Sequence, residues 1–217
     1  MPSASRQAAV IAGVLLAAAA CAWVLTTRRE PRTVEAGFWF DPIDYRSTAL
    51  GPLDTRDLEV IAAVARREIR DAFRGLRVAV SARRDTAYHV RVVPELRDPR
   101  FRAQYEVAGA SYGFPGLGGS GAVSFRFLAG GALLYAPPAA TRDEILAAIG
   151  RGIGRSAVHE LAHQLLPRTD IHGPDVRSYE YDSASRREHY YGDVRWDVAW
   201  PLLQARLGNA DPAAGRR

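Results

Sequence analysis

At 217 residues and 47% hydrophobic content, the chain is long enough for one domain with a real core, and too short for several. The formal net charge is +5, and all 29 basic residues are arginines spread as singles and pairs; without a clustered basic patch, a nucleic-acid-binding surface is excluded as the working reading. The one cysteine, Cys21, lies in the N-terminal apolar run, so the rest of the chain can form no internal disulfide.

The N-terminus comes first in chain order. Arg6 precedes eighteen uncharged residues, Ala8–Leu25, and Arg28 and Arg29 follow. Residues 1–29 read as a signal anchor or signal peptide. The apolar run continues through Trp23, Val24 and Leu25, past the small residues Ala17–Ala20 where cleavage would fall, which favours an uncleaved anchor. The expected location is therefore a membrane, reached through the N-terminal helix, with the remaining chain extracytoplasmic (periplasmic or extracellular). Cleavage would instead give a secreted form. Residues 30–54 read as a polar linker and an irregular lead-in, broken by Pro31, Pro42, Gly51 and Pro52.

A helix is predicted from Thr55. Leu58, Ile61, Ala65, Ile69 and Phe73 recur at helical spacing, and Gly75 suits the end. Alternation then predicts strands at Leu76–Val80 and Tyr88–Val92. The segment Gly109–Gly121 is dense in glycine but matches no phosphate-binding pattern, so it reads as a mobile loop. Val123, Phe125 and Phe127 predict a strand over Ala122–Leu128, and Leu133–Tyr135 a further short one. Thr141 and Glu144 form a capping-box pattern. Behind it Ile145, Ile149, Ile153, Ala157, Leu161 and Leu165 repeat every four residues, ended by Pro167; Gly150, Gly152 and Gly154 are expected to divide this run into two helices. Trp196, Trp200, Leu203 and Leu207 predict a closing amphipathic helix, and residues 210–217 a disordered tail.

The chemistry is concentrated at His159-Glu160-Leu161-Ala162-His163, an H-E-x-x-H. Two histidines four apart on a helix share one face, one turn apart, and can grip a single Zn²⁺. Glu160 stands beside them, placed to take a proton from zinc-bound water. A catalytic zinc needs three protein ligands. His172, nine residues past His163 and beyond Pro167, is the favoured third ligand. Glu180 is the alternative, if Ser178–Tyr191 forms a helix; Asp170, Asp175 and Glu188 remain open as well. Tyr179, Tyr181, Tyr190 and Tyr191 are candidates for a second donor to a reaction oxyanion.

With the motif placed, the chain resembles a zincin metallopeptidase, most similar to the metzincin side, over about residues 55–172, and the expected zincin-like domain spans residues 55–209. The resemblance implies an α+β fold: an N-terminal helix, a mixed sheet with an edge strand, the H-E-x-x-H helix and a small C-terminal helical part. It also implies that the edge strand pairs with a peptide substrate, here Ala122–Leu128. The chain departs from the metzincin H-E-x-x-H-x-x-G-x-x-H, having Leu166 and Thr169 at the glycine and third-histidine positions. It also has no methionine beyond Met1 for the methionine turn beneath the metal; Ser178–Tyr181 is expected to stand there. The function expected is a zinc metalloendopeptidase acting on protein or peptide substrates. The alternative is a membrane-anchored binding or assembly protein on the same scaffold, with little turnover. The sequence is silent on oligomeric state.

Overall fold

The run Ala-Gly-Phe-Trp-Phe at 36–40 falls inside the expected irregular lead-in, yet it belongs to a strand, β1 (Val34–Phe40). A strand with parallel neighbours on both sides reads as a continuous apolar run and lacks the alternation that flags a half-exposed strand. In this computed structural model, residues 33–47, 49–98, 105–114 (Phe114 by its backbone only), 116–166, 168 and 170–210 are described, within a unit beginning at Thr33. The run Ala8–Leu25 and the tail 211–217 lie outside them. Among the described residues no helix is long and apolar enough to cross a membrane.

After β1 a short ladder pairs β2 (Arg46–Ser47) with β3 (Gly51–Pro52). Helix α1 spans Thr55–Ala72, as predicted. Its N-terminal donors are satisfied reciprocally: the Asp57 amide donates to the Asp54 carboxylate at 2.8 Å and the Asp54 amide to Asp57 at 3.0 Å. Ile61, Ala65 and Ile69 are fully buried. Gly75, at φ +88°, turns the chain into β4 (Val78–Ser81), and β5 (Tyr88–Val93) follows.

The glycine-rich segment is not a loop. It is an antiparallel hairpin of β6 (Gly109–Phe114) and β7 (Gly118–Ser124). The strand expected over Ala122–Leu128 ends at Ser124, whose hydroxyl accepts from the Phe127 amide at 3.3 Å and caps α2 (Phe125–Leu134). Phe125, Leu128, Ala129 and Ala132 are buried at helical spacing, so the apparent alternation of Val123, Phe125 and Phe127 straddles a strand end and a helix start. The short strand expected at Leu133–Tyr135 is the end of α2.

The five-stranded mixed sheet has the order β4-β1-β5-β7-β6. All pairings are parallel except β6 with β7. The free edge beside the hairpin is therefore β6, and Ala122–Leu128 is not an edge strand; β7 lies between β5 and β6.

Helix α3 runs unbroken from Arg142 to Leu165 behind the predicted Thr141–Glu144 capping box. Gly150, Gly152 and Gly154 do not divide it. They let other elements approach its backbone: a Cβ on Gly150 would fall 2.7 Å from the Ile61 carbonyl oxygen, and one on Gly154 2.8 Å from that of Ala65, both on α1. A Cβ on Gly152 would meet the Tyr190 ring at 2.6 Å. Beyond α3 the helix expected over Ser178–Tyr191 is irregular chain ending in the single turn α4 (Glu188–Tyr191). The predicted closing helix is α5 (Ala199–Leu207), with Ala199, Leu203 and Leu207 buried; Trp196 precedes it and packs between Phe73 and Tyr179.

The helix contacts give a direct test. Gly150→Ala gains about 1 kcal/mol of helix propensity but overpacks the α1 contact at a cost of about 1–3 kcal/mol. Its midpoint in chemical denaturation should fall. Gly130→Ala in α2 meets nothing within 4 Å and should raise stability. Equal midpoints for the two variants would refute the close-approach explanation.

Candidate metal centre

Helix α3 carries His159 and His163 one turn apart, on a face separate from its buried row of Ile149, Ile153, Ala157, Leu161 and Leu165. The helix stops after Leu165, and Leu166 is extended at φ −95°, ψ 142°, the conformation favoured before a proline. The chain then folds back. Ile171 is buried and pins the returning segment, and His172 beside it stays exposed. Its ring stacks at 9° on His159 with centroids 5.2 Å apart, and meets His163 edge-on at 5.0 Å. One ring nitrogen from each of His159, His163 and His172 lies within 4.8 Å of the others. Among the described residues no other group of three or more histidine, cysteine or carboxylate side chains is so arranged.

Three imidazoles are a donor set that a tetrahedral metal takes, and the His159–His163 pair has the matching spacing. The His159 Nδ1–H donates to the Tyr179 carbonyl oxygen at 2.9 Å, which leaves Nε2 as the unprotonated nitrogen. That Nε2 faces His163 Nε2 at 3.1 Å. Two imidazoles on one zinc at 2.0–2.1 Å place their nitrogens about 3.3 Å apart. Burial, the largest influence, lowers the pKa of both His159 and His172, which favours the neutral form that a metal requires.

Glu160 is buried between α3 and β6. A Cβ on Gly109 would collide with its carboxylate, so glycine there is what makes room for it. The Ser111 hydroxyl donates to the Glu160 backbone carbonyl at 2.9 Å. Gln164, one turn on, accepts from the His89 amide and donates to the His89 carbonyl, both at 3.1 Å, clamping α3 to β5. Gly119 and Gly121 of β7 leave space for that side chain. A cleft of about 970 Å³ runs over these residues, and its lining includes β6 and Tyr181–Ala184.

Glu180 does not join the histidines. It is fully buried, and its carboxylate accepts from the Asp197 amide at 2.9 Å and the Ala199 amide at 2.8 Å, capping the start of α5. Asp175 accepts from the Arg177 amide and the Arg195 guanidinium, and that backbone hydrogen bond leads the causes that lower its pKa against the opposing desolvation. Asp170 and Glu188 also fall outside the group. Of the four tyrosines, Tyr179 donates to Glu68 at 3.3 Å, Tyr191 donates to the Ala132 carbonyl at 2.8 Å, and Tyr190 is buried against Gly131 and Gly152. Tyr181 lines the cleft, with the Arg186 guanidinium 4.7 Å over its ring.

Several contributors carry no signal in a linear reading. Gln164 follows Glu160 by one helical turn, but its partner on β5 is 75 residues away. Arg155, buried at 5% exposure, pairs with Glu68 of α1 at 2.8 Å and also donates to the Glu188 and Gly192 carbonyls. His189 is buried with its Nε2 3.1 Å from the Gly152 carbonyl, and burial holds its pKa well below the usual histidine value, so it is a neutral pin between α4 and α3. In comparisons with known proteins, the chain matches no family model and shows no significant similarity to any curated protein.

Proposed function

We propose that this chain is a zinc-dependent endopeptidase of zincin type, with His159, His163 and His172 as the metal ligands and Glu160 as general base. The observation that carries the reading is the convergence of three histidine nitrogens within 4.8 Å, beside a buried glutamate at the floor of a cleft. Bound zinc would supply a Lewis acid that brings the pKa of water near 7 and polarises a carbonyl.

The remaining roles belong to the chain's own groups. The Glu160 carboxylate accepts the water's proton and returns it to the leaving amine nitrogen. Gly109 and the Ser111 hydroxyl hold Glu160 in place. Tyr181 is the tyrosine left to donate to a developing oxyanion. β6 offers the sheet edge to which an extended peptide adds as a further strand. The membrane tether read from Ala8–Leu25, with the domain outside the cytoplasm, belongs to the same proposal.

Three measurements test it. The purified full-length chain should bind about one zinc; His172→Ala should weaken binding severely, while Glu180→Gln should act on stability and leave zinc affinity nearly unchanged. Elemental analysis finding no zinc in folded, zinc-exposed protein would end the reading.

Glu160→Gln should keep the metal and lose peptide hydrolysis by about 10²–10⁴. Equal cleavage by the two proteins would remove Glu160 as the base. Zinc binding without cleavage of any peptide in a broad library would favour the binding or assembly alternative.

Tyr181→Phe should lower kcat and leave KM nearly unchanged, as loss of a donor felt only in the transition state requires. An unchanged kcat would exclude Tyr181 from that role.

A further inference from the structure

The zinc site lacks a methionine turn, and the segment that stands beneath it, Ser178–Tyr181, is held by polar side chains from elsewhere. The Tyr179 carbonyl oxygen fixes the tautomer and orientation of His159 through the 2.9 Å bond from Nδ1. The phenol of the same residue donates to Glu68 Oε1 at 3.3 Å. That oxygen also accepts from Arg155 Nε at 2.8 Å, one turn before His159 on α3. The Tyr179 ring is packed against Trp196, with centroids 4.9 Å apart, and its amide donates to the Arg195 carbonyl at 3.0 Å. Arg186 donates to the Ser178 carbonyl at 2.8 Å from the other side.

We infer that Glu68 and Tyr179 are positioning residues for the metal ligand His159: α1, through Glu68, sets the place of the Tyr179 carbonyl, and the carbonyl sets the imidazole. The inference rests on the zinc site proposed above. A histidine ligand's partner on its other nitrogen fixes its ring plane and raises its basicity, and loss of such a partner typically weakens metal binding by 10–100-fold. Here the partner is a backbone carbonyl and cannot itself be substituted. Its anchorage can be. Glu68 lies 91 positions before His159, and the same carboxylate pairs with Arg155.

The test uses metal as its readout. In the full-length chain, Tyr179→Phe keeps the ring against Trp196 and leaves the Arg155–Glu68 pair intact. Zinc affinity by chelator competition should drop about tenfold, and the visible bands of the Co²⁺ form should shift, because the His159 ring plane is no longer fixed. Glu68→Ala should lose a similar factor, and Glu68→Gln, which keeps an acceptor oxygen, should recover most of it. The double variant Glu68→Ala/Tyr179→Phe should be no weaker than the weaker single, as members of one chain of contacts require. Unchanged affinity and cobalt bands in folded Tyr179→Phe would overturn the inference, and so would losses that multiply in the double variant. If Glu68→Ala does not fold, the Tyr179→Phe comparison decides alone. Wild-type protein that binds no zinc removes the site itself, an outcome distinct from a variant that binds as well as wild type.

Discussion

Everything at the cleft depends on how closely α3 approaches its neighbours. A helix packed on a sheet or another helix ordinarily stands off by the length of the side chains between them. Here the separation is reduced on three sides by glycine. Gly150 and Gly154 admit α1, Gly152 admits the Tyr190 ring, and Gly109, Gly119 and Gly121 admit the side chains of Glu160 and Gln164. Each of these positions gives up helix or strand propensity. The return is a central helix held close to α1, to the Tyr190 ring and to the β6–β7 hairpin.

A second layer of fixation is ionic. Arg155 on α3 and Glu68 on α1 form a buried pair, and the Arg155 Nη1 donates to the Glu188 and Gly192 carbonyls. A buried pair is a weak source of net stability, since both ions lose their water. It is a strict one in geometry, because an unmatched charge in the same place would be far more costly. The C-terminal segment has only short helices of its own, so its course beneath α3 is set by such directional contacts. Glu180, capping α5, and Arg186, bonded to the Ser178 carbonyl, act in the same way.

The sequence made the helices legible where local signals agree. Apolar spacing and a terminal glycine located α1 to within a residue or two, and the Thr141–Glu144 capping box set the start of α3. His159, Glu160 and His163 were legible because their spacing matches the helical turn, and His172 because a helix-ending proline precedes it. What failed depended on partners distant in sequence. β1 gave no alternation because it is buried between parallel neighbours. The glycines of 109–121 read as a loop, since nothing local reveals that α3 needs their missing side chains. The glycines of α3 read as breaks for the same reason. Glu180 was an open ligand candidate until the Asp197 and Ala199 amides came to meet it. The Arg155–Glu68 pair, spanning 87 positions, had no local trace at all.

The glycine hairpin has one more consequence. Beside Glu160 the cleft wall is built from Gly109, Ala110 and Ser111, and Ser111 is already committed to α3. Over these three positions the cleft wall presents mostly main chain, and the large side chain of β6 at the cleft is Tyr112, next along the strand. The chemical variety of the cleft lies elsewhere in its lining, where Tyr181, Asp182 and Ser183 supply an aromatic ring, a charge and a hydroxyl within three consecutive positions. Substitutions there change the chemistry of the cleft without touching the helix that the glycines hold in place.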